Sequence, residues 1–214
     1  MLISFEGVDG CGKSTQVSLL ERRLAKTGWD LLLVREPGGT ALSERIRDLL
    51  LQKVLDVSAF AELMLFSAAR AQLVAEVIRP ALESGRIVIC DRFTDSTLAY
   101  QGGGRGAADI DWLRELNKRV TGGLVPDRTY YLAIDPSTAK ARSRMRAGTG
   151  EDRMESSGKD FFDRVVDAYE ALAAAEPGRI RRIDGAATPE AVHELIWADV
   201  VGAQSARNRP RPGG

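Results

Sequence analysis

Gly7-Val8-Asp9-Gly10-Cys11-Gly12-Lys13-Ser14 is a complete G-x-x-x-x-G-K-[ST] run, a spacing suited to holding the phosphates of a nucleoside triphosphate. The glycines let backbone N–H groups turn inward around a phosphate, and a helix starting near Lys13 aims its positive end at the same place. Lys13 then reaches the β- and γ-phosphates, and the Ser14 hydroxyl is placed to hold a bridging Mg²⁺. ATP binding is therefore assigned to Gly7 through Ser14 and to the adjoining Thr15.

Two other groups have spacings with chemical meaning. If the segment after Phe93 is helical, Arg92, Ser96 and Tyr100 lie four apart on one face with Thr97 beside them, suited to gripping an acceptor phosphate. Phe66 and Arg70 are also four apart, which sets a ring able to stack on a base beside a guanidinium able to donate to a carbonyl edge. A core phenylalanine and a surface arginine would fit the same spacing equally well. Among phosphate-loop classes, a GTPase needs Asn-Lys-x-Asp, and the nearest match, Asn117-Lys118-Arg119-Val120, lacks the carboxylate and reads as an exposed helix face. An ATPase driving a partner would carry an apolar strand ending in paired acids or an extra loop lysine, and neither is present. A small-molecule kinase remains. Its rivals are a kinase for a different acceptor and a non-catalytic nucleotide-binding regulator, neither of which accounts for two arginine-bearing faces beside one phosphate loop.

The elements that must position these residues alternate. Leu2, Ile3 and Phe5 make a strand before the loop, and Leu19, Leu20 and Leu24 a helix after it. Asp30 to Val34 reads as a strand buried on both faces, ending at Arg35-Glu36-Pro37-Gly38-Gly39-Thr40. Helices are expected over Ala41–Leu51 and Ala59–Ser84, then a strand over Ile87–Cys90 leading into Asp91-Arg92-Phe93. A short helix from Thr94 to Tyr100 is expected to end in a flexible turn at Gly102-Gly103-Gly104-Arg105-Gly106. Further elements are a helix over Asp111–Val120, a strand over Thr129–Ile134, and a helix from Thr138 to Met145. Residues 142–158 read as a mobile, charged lid, followed by a helix over Phe161–Ala175, a strand over Ile180–Ile183 and a helix over Pro189–Val201. The fold class is α/β: a three-layer kinase fold with a five-stranded parallel sheet, one domain over residues 1–206 and a disordered Arg/Pro-rich tail over 207–214.

At 214 residues with 44% hydrophobic content, one core is expected, and Lys+Arg and Asp+Glu balance at 30 each, so no basic field recruits nucleic acid or membrane. With no leader before Leu2, no run of spanning length, and Cys11 and Cys90 as expected thiols, the location expected is cytoplasmic.

The chain resembles the bacterial thymidylate kinases. The resemblance rests on Phe5-Glu6-Gly7-Val8-Asp9-Gly10-Cys11-Gly12-Lys13-Ser14-Thr15-Gln16, on Arg35-Glu36-Pro37-Gly38-Gly39-Thr40, on Asp91-Arg92-Phe93 with Ser96, Ala99, Tyr100, Gln101 and Gly102, and on Asp152-Arg153-Met154-Glu155 before Phe161-Phe162. It implies ATP- and Mg²⁺-dependent phosphorylation of dTMP to dTDP by a homodimer. By that resemblance Asp9 contacts the 3′-hydroxyl, Phe66 stacks on thymine, Arg70 bonds O4 and Arg92 grips the acceptor phosphate. Ser96 and Thr97 fall at the pyrimidine edge, Tyr100 under the deoxyribose as a filter against ribonucleotides, Arg35 at the phosphate corner, and Gln101 among the substrate-binding residues. Glu6 and Asp91, with Ser14, order Mg²⁺ and its waters, while Arg142 packs against adenine. No basic residue lies among Val8, Asp9, Gly10 and Cys11, so the arginine that neutralises the transferring phosphoryl group is expected from the lid: Arg146 or Arg153, with Arg144 third.

Overall fold

Five parallel strands form one sheet of order β2-β3-β1-β4-β5: β1 (Leu2–Glu6), β2 (Leu31–Arg35), β3 (Ile87–Asp91), β4 (Arg128–Ala133) and β5 (Ile180–Asp184). This computed structural model describes residues 1–52, 54–146, 153 and 157–207, with the backbone alone for Arg146, Ala206 and Arg207. β1 is central and all five of its residues are buried, which explains why Leu2–Phe5 shows no polar alternation. Its one hydroxyl, on Ser4, is matched by Thr129 Oγ1 at 2.7 Å. β2 departs from expectation: it is an edge strand and only half-buried along Leu31–Val34. An apolar run says what side chains a strand carries and not whether both faces are covered.

Helices α1 (Lys13–Ala25), α2 (Ala41–Leu51), α3 (Ala59–Leu73), α4 (Arg79–Glu83), α5 (Thr94–Ser96), α6 (Ile110–Thr121), α7 (Pro136–Arg146), α8 (Lys159–Ala175) and α9 (Pro189–Arg207) flank the sheet. Ile3 and Phe5 pack with Leu20 and Leu24 of α1 and Ile196 and Val200 of α9, while Leu2 and Val88 pack in a second cluster with Leu73, Val74 and Ile78. A π-helical turn, Val74–Ile78, joins α3 to α4, so the expected Ala59–Ser84 helix is one rod with a local change of winding. α9 runs past the expected Val201 to Arg207, and the remainder of the predicted tail lies outside the described residues.

Between β3 and β1 the strand order reverses, because the chain leaves β1 for β2 on one side and leaves β3 for β4 on the other. Loops after two such strands diverge and leave a crevice at their carboxyl ends. Phe5 pairs with Asp91 in register and Arg92 N donates to Phe5 O at 3.0 Å, so the phosphate loop and the Asp91-Arg92 turn begin side by side.

The segment after Arg92 corrects a second expectation. α5 passes directly into a π-helix, Thr97–Gly104, which contains Gly102, Gly103 and Gly104 in place of the expected flexible turn. These glycines serve close packing: a Cβ at Gly103 would lie 2.6 Å from Ala168 Cβ, and one at Gly104 2.5 Å from the Phe161 ring. Their bare backbone lets α8 close over the helix that carries Tyr100 and Gln101.

Glu6 fixes the start of that helix. It is fully buried, with Oε1 accepting from Phe93 N at 2.7 Å and Oε2 accepting from Ser96 Oγ at 2.6 Å and Tyr169 Oη at 2.8 Å. Both oxygens of Glu6, expected by resemblance to order Mg²⁺ and its waters, are thereby bonded within the protein. Burial, reinforced by the charge of Asp95, raises its carboxyl from 4.5 to about 7. The folded chain thus keeps a proton that the unfolded chain releases, and the associated stability is present below pH 4.5 and lost as pH rises through about 7. Glu6→Gln retains an acceptor for Phe93 N without the ionisation. Urea denaturation should show the wild-type unfolding free energy falling relative to this variant by about 2–3 kcal/mol between pH 5 and 8; a difference that does not vary with pH would refute the assignment.

Candidate active site

Gly7 and Gly10 hold positive φ values of 132° and 88°, and side chains there would collide with neighbouring backbone: a Cβ at Gly7 would lie 2.8 Å from Leu132 O, and one at Gly10 2.0 Å from Ala139 O. The loop is therefore clamped between β4 and α7. Lys13 Nζ is folded back on its own loop, donating to Gly7 O at 2.9 Å and Val8 O at 3.1 Å, with Asp9 Oδ1 3.6 Å away. Ser14 is exposed and its Oγ donates to Asp91 Oδ2 at 3.4 Å. A hydroxyl and a carboxylate at the mouth of a phosphate loop are hard oxygen donors of the kind Mg²⁺ takes together with phosphate and water. Among the described residues no cluster of three metal-binding side chains exists, so protein ligands alone make no cage.

Arg92 is the hinge of the site. It is the one described residue other than glycine with positive φ, at 74°. Its Nη1 donates to Gly7 O at 3.0 Å and Ser96 Oγ at 3.2 Å; its Nη2 donates to Asp9 Oδ1 at 2.7 Å and Tyr100 Oη at 3.2 Å, with the guanidinium 4.9 Å from the Tyr100 ring centroid. The predicted Arg92/Ser96/Tyr100 face is thus one bonded unit. Burial opposes ionisation of Asp9, but Arg92 and Lys13 outweigh it and hold the carboxyl well below the usual range.

Two cavities meet at Arg92. The first is lined by Phe66, Arg70, Ser96, Thr97, Tyr100 and Gln101 with Glu36, Pro37 and Leu51; the second, over the phosphate loop, by Lys13, Ser14, Arg35, Asp91 and Ser143. Asp9, Glu36, Arg47 and Arg92 line both. Arg35 stands on the phosphate side, where its Nη2 donates to Glu44 at 2.8 Å. Arg47 was not singled out by sequence: it is one of many charges on α2, and only folding brings it to Pro37 O at 3.0 Å.

Arg70 is 2% exposed, which removes the surface reading of this residue. Nε and Nη2 contact Glu36 Oε2 at 2.7 and 2.6 Å, Nη1 donates to Thr97 Oγ1 at 2.6 Å and Asn117 Oδ1 at 3.2 Å, and Nη2 donates to Phe93 O at 2.9 Å. Asn117 corrects another expectation. It is buried rather than on an exposed face, and its Nδ2 donates to Thr94 O at 3.2 Å. Burial raises the Glu36 carboxyl despite the charge of Arg70.

A further cleft runs between Gly10, Cys11, Gly12, Thr15 and Gln16 on one side and Gly185 to Val192 on the other, with Arg142 in its wall. Arg142 Nη1 donates to Gly185 O at 2.7 Å, which joins α7 to the loop after β5. Arg146 ends α7 and its side chain lies outside the described residues, as do Asp152, Met154 and Glu155; Arg144 is exposed on α7. Arg153, expected at the transferring phosphoryl group, is instead held at Glu62, with Nη2 2.6 Å from Oε2, and donates from Nε to Leu50 O at 3.0 Å.

A phosphate loop, a guanidinium shared between two cavities and a cavity with a flat ring and polar edge suit transfer of a phosphoryl group between two bound nucleotides. The model of the thymidylate kinase family matches residues 5–196. The thymidylate kinase of Chlorobaculum parvum is 50% identical over 203 residues, covering 92% of this chain and 93% of that protein; the one from Bifidobacterium longum is 50% identical over 204 residues, covering 94% and 97%. The crystal structure of thymidylate kinase from Ehrlichia chaffeensis superposes with a TM-score of 0.77 at 34% identity, covering 94% of this chain and 98% of that one. With its phosphate loop, its Asp91-Arg92 turn and nearly its whole length inside that match, the chain belongs to the thymidylate kinase family.

Proposed function

We infer that this chain transfers the γ-phosphoryl group of ATP to dTMP, giving dTDP and ADP. The observation that carries the reading is the shared edge of the two cavities: Asp9 and Arg92 line both, so a phosphate bound in the first cavity meets a triphosphate on the loop at one guanidinium. The adenine end belongs in the cleft beside Arg142, and Lys13 exchanges its loop carbonyls for phosphate oxygens. Ser14 and Asp91 would hold Mg²⁺, which would supply charge neutralisation to the phosphates. Loose phosphoryl transfer needs positioning and neutralisation more than a strong base, and the described residues of the site offer no free general base. Phe66 stacks on the pyrimidine; Tyr100, bonded to Arg92, lies below the sugar. A pyrimidine O4 reaching Arg70 displaces its longest bond, the one to Asn117.

The reading extends to a homodimer. Leu42 and Leu49 on α2, Phe60 on α3 and Trp112 on α6 are 44–50% exposed, with the Phe60 and Trp112 rings 5.9 Å apart. Apolar surface of this kind supports burial against a second copy. Cys11 and Cys90 are free, buried thiols, which supports a reducing, cytoplasmic setting. No described helix is long and apolar enough to cross a membrane.

Lys13→Ala and Arg92→Ala should each lower turnover of dTMP with ATP by about 10²–10³-fold, equivalent to about 3–4 kcal/mol of transition-state stabilisation, with circular dichroism unchanged. Near-normal turnover in either sinks the assignment. In a panel of monophosphates followed by ADP release, dTMP should exceed dUMP by about 10–200-fold, the worth of one methyl in an apolar pocket, and both should far exceed dCMP. Equal turnover of dCMP would assign a different acceptor. Light scattering should give twice the chain mass for the wild type and the single mass for Trp112→Glu; a wild-type monomer at micromolar concentration rules out the dimer.

A further inference from the structure

Glu62 is fully buried in the first turn of α3 and takes no part in the chemistry described above. Three side chains from two segments converge on it, Gln101 and Arg105 from the π-helix and its C-cap and Arg153 from the far side of α7 in sequence. Gln101 Nε2 donates to Oε1 at 3.0 Å, Arg105 Nε lies 3.4 Å from Oε1, and Arg153 Nη2 lies 2.6 Å from Oε2. A carboxylate faced by two guanidiniums accepts and does not donate, so it can receive the Gln101 amide only through the NH₂ end. An unanchored amide could present either end, since oxygen and nitrogen are nearly isosteric. Gln101 is 2% exposed and lines the acceptor cavity with Phe66, Arg70 and Thr97, and its Oε1 has no hydrogen bond among the described residues. Arg70 cannot set the polarity of this wall alone, because all its N–H groups are engaged with Glu36, Thr97, Asn117 and Phe93.

We propose that Glu62 is a positioning residue for base selection: it anchors the Gln101 amide so that the oxygen faces the cavity and accepts the N3–H of a pyrimidine imide. Thymine and uracil carry that N–H; cytosine carries a lone pair at N3, which would meet the amide oxygen as acceptor against acceptor. The inference rests on the dTMP reading and deepens it. Substrate selectivity is then set by a carboxylate that never touches substrate.

Glu62→Gln keeps the shape and restores the ambiguity, because a second amide can accept as well as donate. In the folded variant the ratio of kcat/KM for dTMP to that for dCMP should fall at least 10-fold, with the KM for dTMP rising more than kcat falls. An unchanged ratio, or a loss confined to kcat, overturns the proposal. If the variant does not fold, the wild-type chain decides with N3-methyl-dTMP as a competitive ligand. Binding at least 10-fold weaker than dTMP supports the amide polarity that Glu62 imposes, and binding as tight as dTMP overturns it. Failure of the wild type to phosphorylate dTMP would sink the functional reading; normal dTMP turnover with an unmoved ratio sinks only the role of Glu62.

Discussion

Arg92 sits at φ 74°, in a region that costs a residue with a side chain about 1–3 kcal/mol, and the rest of the site depends on how the fold holds it there. Its N–H is tied to Phe5 O, and the next N–H, of Phe93, is tied to the buried Glu6 carboxylate. The turn is thus fastened twice to the central strand, once by sheet-like backbone pairing and once by a side chain. The left-handed turn starts the following helix immediately after β3, and the bonds from Arg92 to Ser96 and Tyr100 follow from that start. An extended residue here would carry the chain away from the phosphate loop. The strain and the site have one cause.

Buried ion pairs repeat the same logic through the molecule. Glu36 with Arg70, Glu62 with Arg153 and Arg105, and Asp95 with Arg179 each set a carboxylate no more than 4% exposed against a guanidinium. Desolvation makes such pairs poor sources of stability, and apolar residues of similar volume would often serve the fold as well or better. What an ion pair adds is direction. Asp95 receives both Nη groups of Arg179 and the Thr129 hydroxyl, which pins α5 to β4 and to the turn before β5. Glu36 fixes the plane of Arg70. Each pair sits behind a residue of the cavity or behind the helix that carries it.

What the sequence disclosed follows the range of the interactions. Gly7 to Ser14 and Arg92/Ser96/Tyr100 are local spacings, so they were legible, and the strand–helix alternation gave the parallel sheet. Arg70 was legible as a position but not as an environment, because Glu36 lies 34 residues away and Asn117 47 residues away. The same distance hid Asn117 itself: helical spacing cannot say which face meets a buried arginine. Gly102 to Gly104 misled because glycine both loosens a turn and admits a close neighbour, and only the presence of α8 decides between the two. Glu6 has a metal role only by resemblance, while its burial beneath Ser96 and Tyr169 depends on elements that arrive 90 and 163 residues later.

Charge compensation runs through the whole site. Lys13 rests on the carbonyls of Gly7 and Val8, Arg92 on Asp9, Arg35 on Glu44, and Arg70 on Glu36. Each cation is already partnered, so an arriving phosphate exchanges one acceptor for another and does not have to neutralise a bare charge. Where that exchange is easy follows from burial. Arg35 and Glu44 are about half-exposed and Asp9 is 40% exposed, so water can take over the released carboxylate. Glu36 and Glu62 cannot be released that way, since a freed carboxylate would be stranded without solvent. The phosphate side is therefore built to exchange its carboxylate partners and the base side to keep them. That division places flexibility where the reaction moves charge and rigidity where the base is chosen.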